Sequence, residues 1–214
     1  MTSTIARLLV LLAALLNAGV ARADGERPGE FDFYVLSLSW SPTFCESPEG
    51  RGSEQCAARR PFAFVVHGLW PQYERGYPAF CPADAAPDLE GVRSVLDIMP
   101  SAGLVRHQWR KHGTCSGLGT RGYFDAVREA FARVEIPPSL QRLDKAVSVE
   151  PRAVERAFRA VNPGIQDAGI AVTCDGRRLA EVRICMTKEF DFRPCPEVDR
   201  RGCTARSIVL PPVR

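Results

Sequence analysis

Eight cysteines limit the ways in which this 214-residue chain can fold. All of them lie between Cys45 and Cys203, and their number is even. In a chain of this size, that pattern predicts four disulfide bonds and an oxidising compartment. No CxxC pair occurs, which argues against a zinc ribbon and against a thioredoxin-type redox site. The spacing alone does not decide which cysteines pair with one another.

The first 23 residues point to the same kind of compartment. A short segment with Arg7 and no acidic residue precedes the apolar run LLVLLAALLNAGV, and the small-x-small site Ala21-Arg22-Ala23 follows it. This layout is typical of a secretory signal peptide. The alternatives are a buried N-terminal helix, although the run has no polar face, and a permanent membrane anchor, which needs ~20 apolar residues.

The part of the chain after the predicted signal peptide, residues 24–214, has no internal repeat and no long linker. It therefore predicts a single domain, secreted or periplasmic, that does not associate with the membrane. The formal net charge of the whole chain is +3, and the predicted signal peptide holds Arg7 and Arg22 but no acid, so the remainder is close to neutral. Any positive charge for a polyanionic substrate must therefore be local.

Apolar periodicity predicts strands near both ends of this domain and helices between them. Residues 31–40 and 62–70 are apolar and aromatic, as in buried strands, whereas residues 41–60 and 71–87 are predicted as loops. A hairpin is expected around Asp175-Gly176, and the tail after it shows no clear element. This order predicts an α+β fold with a central antiparallel sheet, helices packed on one side and disulfide-stapled loops. Helical spacing predicts helices at 88–99, 104–112, 123–134 and 151–161.

The three histidines lie in two short segments of the sequence. His67 follows an apolar run, which places it where a strand reaches the open edge of the sheet. His107, Gln108, Lys111 and His112 fall on one predicted helix. Residues four apart are neighbours on a helix, so His107 is expected beside Lys111, and Gln108 beside His112. These four side chains are predicted to form one polar patch.

Such a patch suits general acid–base chemistry on a phosphodiester. Histidine titrates near neutrality, so one imidazole can accept a proton while another donates one. Lys111 supplies a positive charge that stabilises negative charge developing on a phosphoryl group. The natural substrate is RNA, because its 2′-hydroxyl is the nucleophile and the protein need supply none. DNA lacks this group and is expected to be inert.

Each of these features also has a simpler interpretation. His67 alone could be a polar residue satisfied at a strand end, and His107 with His112 could belong to a surface helix face. The three could also bind a metal, but a spacing of five is poor for two ligands on one helix, and Lys111 would repel the ion. We therefore expect no metal and no cofactor. A non-catalytic extracellular binding protein on the same fold is the remaining alternative.

Two segments resemble the active-site segments of the ribonuclease T2 family. They are FVVHGLWPQ at 64–72 and HQWRKHGTC at 107–115. The stretch DFYVLSLSWSPTFC at 32–45 is similar to the first strand of that family and to the turn that follows it. The resemblance covers nearly all of the chain after the predicted signal peptide. It implies a secreted or periplasmic endoribonuclease of the bacterial type, which cleaves single-stranded RNA to 2′,3′-cyclic phosphates and then to 3′-phosphates without a metal.

The resemblance also implies a role for each matching residue. His67 would be the general acid that protonates the leaving 5′-oxygen, and His112 the general base that accepts the 2′-hydroxyl proton. His107 would hold the phosphate, and Lys111 would stabilise the transition state. Trp70 would pack along the phosphate or base site, although core packing is an equally good interpretation of a tryptophan at this position.

Gln108 departs from the pattern of the family, which has glutamate there. Glutamine keeps the size and the hydrogen bonds of glutamate but loses its charge. Every proton-transfer position is present, so we expect an enzyme with an altered pH dependence rather than an inactive one.

Further expectations concern the disulfides, the base site and the oligomeric state. The family resemblance implies the pairs Cys45–Cys56, Cys81–Cys115, Cys174–Cys203 and Cys185–Cys195. The aromatic residues that could stack on bases, judged by composition alone, are Phe44, Tyr73, Tyr77 and Phe80. The protein is expected to be a monomer.

Overall fold

The computed structural model describes residues 26–57, 61–83 and 86–214, so the predicted signal peptide lies outside the described residues. The strands are β1 Phe33–Trp40, β2 Phe64–Gln72, β3 Val147–Val149, β4 Ile170–Asp175, β5 Arg178–Met186 and β6 Ile208–Leu210. The helices are α1 Ser41–Glu46, α2 Leu89–Arg93, α3 Ala102–Lys111, α4 Gly119–Ala132, α5 Pro138–Gln141, α6 Pro151–Val161 and α7 Pro196–Arg200. Two short 3₁₀ turns, Gly113–Ser116 and Asp167–Gly169, complete the described secondary structure.

The strands form a single six-stranded sheet in the order β2-β1-β5-β6-β3, and β4 pairs with β5 as well. Most neighbouring strands are antiparallel, including the pairs of β1 with β2 and β5. The exception is the parallel contact of β5 with β6, at Arg178 and Val209. The predicted α+β architecture is confirmed, and the sheet is mixed because β6 returns alongside β5.

The alternation of side chains along β1 creates two apolar clusters, one on each face of the sheet. Phe33 and Val35 belong to a small cluster with the Cys185–Cys195 disulfide, against which Val198 of α7 packs. The other face carries the main core, where three of the predicted helices pack, as expected. The main core includes Tyr34, Leu36, Leu38 and Trp40 of β1, Trp109 of α3, Phe124 of α4 and Phe158 of α6.

Three local predictions were wrong at the level of single elements. The predicted helix at 88–99 ends at Arg93, and the amides of Leu96 and Ile98 then donate to carbonyls three residues earlier, as in turns. The predicted loop at 41–60 begins with α1, which has Pro42 in its first turn, a position that favours helix initiation. The tail contains α7 and β6. Among the described residues, no helix has both the length and the apolar character required to cross a membrane.

Candidate active site

A β-bulge in β2 sets the direction of the His67 side chain. Ser37 of β1 pairs with Gly68 and Leu38 pairs with Val66, so His67 is the extra residue between them. Without a bulge, residues three apart on a strand face opposite sides. Here His67 and Trp70 both line one cavity, while Val66 lies in the main core. The bulge therefore brings the histidine and the tryptophan of β2 to the same face.

Helix α3 and the turn after it carry the second group of candidate residues. The Ser101 side chain caps the helix by accepting a hydrogen bond from the Leu104 amide. The helix ends at Lys111, and the amide of His112 donates to the Gln108 carbonyl at 2.9 Å. The 3₁₀ turn that follows is stapled to the middle loop by a disulfide. The four predicted pairs, Cys45–Cys56, Cys81–Cys115, Cys174–Cys203 and Cys185–Cys195, are all confirmed.

A cavity of about 430 Å³ lies between β2, β5, α3 and α7. All six candidate residues from the sequence line it: His67, Trp70, His107, Gln108, Lys111 and His112. Of the four candidate stacking residues, Tyr73 and Tyr77 line the cavity, whereas Phe44 and Phe80 do not. The cavity therefore combines titratable, cationic and aromatic groups, as binding and cleavage of a nucleic acid require.

His112 is a buried, neutral imidazole. It is 4 % exposed and stacks on Trp70, with ring centroids 5.3 Å apart and an angle of 28° between the rings. Burial lowers the pKa of His112 to about 3, and the charges of Lys111 and His67 act in the same direction. Because a neutral imidazole has a free lone pair, His112 can accept a proton over the acidic and neutral pH range.

Lys111 contributes positive charge to the cavity, and His107 lies one helical turn before it. Burial lowers the pKa of His107, and the charges of Lys111 and Arg110 add to this effect. The Lys111 ammonium also lies 5.9 Å from the centre of the Tyr77 ring. Both residues line the cavity, as predicted, where a bound anionic group would favour the protonated form of His107.

Gln108 forms part of the cavity wall. It is only 2 % exposed, and its Oε1 atom accepts a hydrogen bond from Trp70 Nε1 at 2.7 Å. This bond passes directly over Gly68, where an added Cβ would lie 2.3 Å from Oε1. Glycine at position 68 is therefore required for the contact between β2 and α3.

Glu181 was missed by the sequence analysis. It lies on β5 and contacts Nδ1 of His67, while Arg183 donates two hydrogen bonds to its other oxygen. Burial alone would raise the pKa of Glu181, but the contacts with His67 and Arg183 outweigh it and lower this pKa to about 2. The only signal in the sequence was that Glu181 and Arg183 alternate with apolar residues in a buried strand.

One group of three potential metal ligands occurs in the part of the chain that the structure describes. It consists of Glu26, Cys81 and Cys115, whose ligand atoms lie within 4.8 Å of one another. The two sulfurs are bonded to each other, so neither is available as a thiolate ligand. This group therefore does not fit a metal ion.

Comparison with known proteins establishes the family to which this chain belongs. The sequence profile of the Ribonuclease T2 family matches residues 31–195, which include both histidine segments. The chain belongs to the ribonuclease T2 family. A ribonuclease of Aeromonas hydrophila is 37 % identical to it over 192 residues, which cover 86 % of this chain and 85 % of the relative.

Solved structures show the same ribonuclease T2 fold. An RNase-related protein from Calystegia sepium superposes with a TM-score of 0.70 at 23 % identity, covering 86 % of this chain and 99 % of that one. RNase NT, solved in complex with 5′-AMP, superposes with a TM-score of 0.64 at 24 % identity and the same coverage. At these identities, the structural similarity establishes the fold of this family member and not the role of any residue.

The uncharged side chain of Gln108 leads to a testable expectation. In Gln108→Glu, the carboxylate can still accept the Trp70 hydrogen bond and adds a negative charge near His112. A negative charge favours the protonated imidazole, so the pKa of His112 rises from about 3. We expect activity to be retained and the acidic limb of the kcat/KM profile to move to higher pH.

The measurement is kcat/KM on one RNA oligonucleotide across the pH range, for wild type and Gln108→Glu. Gln166→Glu is the matched control, because it makes the same change in charge at an exposed position away from the cavity. Superimposable profiles for all three proteins would show that position 108 does not tune the histidines.

Proposed function

We propose that this chain is an exported, metal-independent endoribonuclease that cleaves single-stranded RNA by general acid–base catalysis. The observation that carries the proposal is that His67 and His112 both contact the Trp70 ring, each at a centroid distance of 5.3 Å, in different electrostatic settings. His112 is buried and neutral, whereas His67 contacts a carboxylate. One ring is thus suited to accept a proton and the other to donate one.

In the first step, Nε2 of His112 accepts the proton of the 2′-hydroxyl, and the 2′-oxygen attacks the neighbouring phosphorus. The bond from phosphorus to the 5′-oxygen breaks as His67 gives its proton to that oxygen. The products are a 2′,3′-cyclic phosphate and a free 5′-hydroxyl. His107 and Lys111 lie on the same side of the cavity and stabilise the negative charge that spreads over the phosphoryl oxygens.

In the second step, the two histidines exchange roles. His67, now neutral, accepts a proton from water, which attacks the cyclic phosphate. His112 returns its proton to the 2′-oxygen, leaving a 3′-phosphate. The first step leaves His67 neutral and His112 protonated, and the second step reverses both changes. The cycle therefore requires no metal and no cofactor.

The aromatic side chains of the cavity support a single-stranded substrate. Trp70, Tyr73 and Tyr77 line it, and Tyr77 is 44 % exposed with its ring 6.0 Å from that of His112. Unpaired bases stack on such rings, whereas bases inside a duplex cannot reach them. The complex of RNase NT with 5′-AMP supports nucleotide binding by this fold.

The same proposal extends to localisation and assembly. Four disulfides and the predicted signal peptide at 1–23 support a secreted or periplasmic protein formed by the single domain 24–214. We infer that it acts as a monomer, does not bind the membrane after removal of the signal peptide and does not cleave DNA.

The deciding experiment is digestion of three matched oligonucleotides in EDTA. They share one sequence and consist of RNA, 2′-O-methylated RNA and DNA. We expect cleavage of RNA alone, with cyclic phosphate ends that convert to 3′-phosphates. Cleavage of the methylated strand, or loss of RNA cleavage in EDTA, would refute the mechanism. Binding of RNA without cleavage would instead favour a non-catalytic binding protein.

A further inference from the structure

Glu181 lies on β5 and His67 on β2, and β1 separates these two strands in the sheet. The backbone of Glu181 pairs with Ser39 of β1, and Ser39 in turn pairs with Val65 of β2. Ser37 and Ser39 are small residues that alternate along β1 with residues of the main core. The strand register therefore brings together two residues that are 114 positions apart in the sequence.

The carboxylate of Glu181 is held so that each oxygen has its own partner. Arg183 donates from Nε at 2.9 Å and from Nη2 at 2.7 Å, both to Oε2. Oε1 is left for Nδ1 of His67. Arg183 itself lies over the Trp70 ring, with Cζ 5.2 Å from the centroid. Charge-assisted hydrogen bonds of this kind fix both distance and direction.

We propose that Glu181 is a positioning residue that keeps the proton of His67 on Nδ1 in the neutral ring and aims Nε2 at the leaving oxygen. This inference rests on the proposed function, because it assigns a helper to the general acid. The resemblance to the ribonuclease T2 family assigns no role to position 181. Glu181 is the one carboxylate that contacts a histidine among residues 26–57, 61–83 and 86–214.

The contact serves both steps of the reaction. In the first step, the protonated ring has a hydrogen on each nitrogen. Glu181 holds the one on Nδ1, and the other passes from Nε2 to the leaving oxygen. The neutral ring that remains carries its hydrogen on Nδ1, so Nε2 has the lone pair that accepts a proton from water in the second step. Glu181 stays ionised throughout and exchanges no proton.

Other charged groups around His67 must be considered with Glu181. Lys111 lies on α3, and His112 lies at its end, facing the ring across the cavity. The Lys111 ammonium is positively charged, and His112 becomes so when it accepts a proton. Glu181 brings a negative charge into contact with His67 and is itself held in place by Arg183. The complete set of titratable groups that share the cavity with His67 is Tyr73, Tyr77, His107, Lys111, His112, Glu181, Arg183, Glu197 and Arg201.

The first test compares two substrates that differ in their need for an acid. In Glu181→Gln, we expect kcat on an RNA dinucleotide to fall about 10- to 100-fold with little change in KM, because general acid catalysis is worth roughly 10²–10⁴-fold. A ribonucleoside 3′-para-nitrophenyl phosphate should lose less than about 3-fold, since para-nitrophenolate leaves without a proton. Equal losses on both substrates would overturn the proposal.

The control variants separate positioning from folding. Glu155→Gln removes another partly buried carboxylate, which accepts a hydrogen bond from the Val172 amide and does not line the cavity. It should leave both rates within about 2-fold. In a His67→Ala background, Glu181→Gln should add no further loss on RNA, because the two residues act as one unit. An additive loss would show that Glu181 acts through another group.

A second readout does not depend on activity. In wild type with ¹⁵N-labelled histidine, the neutral His67 ring should show its proton on Nδ1. In Glu181→Gln, the spectrum should become a mixture of tautomers. An unchanged tautomer would refute the positioning role. Absence of RNA cleavage by wild type, with the expected tautomer, would refute the proposed function and leave the contact established.

Discussion

Replacing His112 with alanine is expected to lower kcat/KM for RNA by about 10²- to 10⁴-fold, the usual contribution of a general base. The expectation follows from the setting of the ring. Burial lowers the pKa of His112 to about 3, so the side chain is free to accept a proton at any moderate pH. The wild-type activity should accordingly persist on the acidic side to a pH below the usual titration range of histidine.

Binding and catalysis can be separated in this variant. His112→Ala should bind a non-cleavable 2′-O-methylated oligonucleotide nearly as well as wild type, because the phosphate contacts are proposed to come from His107 and Lys111. Arg106→Ala is the control, since Arg106 is exposed on the same helix and does not line the cavity. Digestion of RNA at the same rate by wild type and His112→Ala would refute the assignment of this residue.

Removing the Cys81–Cys115 disulfide, by replacing both residues with serine, is expected to lower the free energy of unfolding by about 4 kcal/mol. The bridge closes a loop of 34 residues, and the cost follows from the larger conformational entropy of the unfolded chain without it. The amide of Phe80, next to Cys81, also donates to the Lys111 carbonyl at 2.9 Å. Loss of the bridge should therefore loosen the end of α3 and lower kcat/KM as well.

The matched control is the Cys45–Cys56 bridge, which closes a loop of 11 residues and whose cysteines do not line the cavity. Its replacement by serines should cost about 3 kcal/mol without changing kcat/KM of the folded protein. Urea unfolding measures the stabilities, and RNA cleavage at low urea measures the activities. If both double variants kept wild-type kcat/KM, the Cys81–Cys115 bridge would have no role in holding His112.

Most of the site residues that could be predicted from the sequence lie close together along the chain. His107, Gln108, Lys111 and His112 are within one and a half helical turns, so helical spacing was enough to place them together. The direction of His67 was not predictable in the same way. It depends on the bulge opposite Ser37 and Leu38, and alternation alone would have placed His67 and Trp70 on opposite faces.

Two elements show why local sequence patterns did not predict all of the secondary structure. The segment 94–99 has helical spacing of apolar residues, yet the amides of Leu96 and Ile98 donate to carbonyls three residues earlier, and the carbonyl of Ile98 accepts from the Val66 amide of β2. Strand β6 is only three residues long and pairs with the distant β3 and β5. Such short strands exist because of their partners, which the local sequence does not reveal.

The sequence by itself determined the family, the two histidine segments, the four disulfide pairs implied by that family and the apolar periods of the main strands and helices. Only the tertiary structure decided the burial of His112, the Gln108–Trp70 bond over Gly68 and the contact of Glu181 with His67. The physical reason is the distance along the sequence over which each signal acts. Periodicity and motifs act over a few residues, whereas the contact of Glu181 with His67 depends on strand register, which sets the neighbours of residues more than a hundred positions apart.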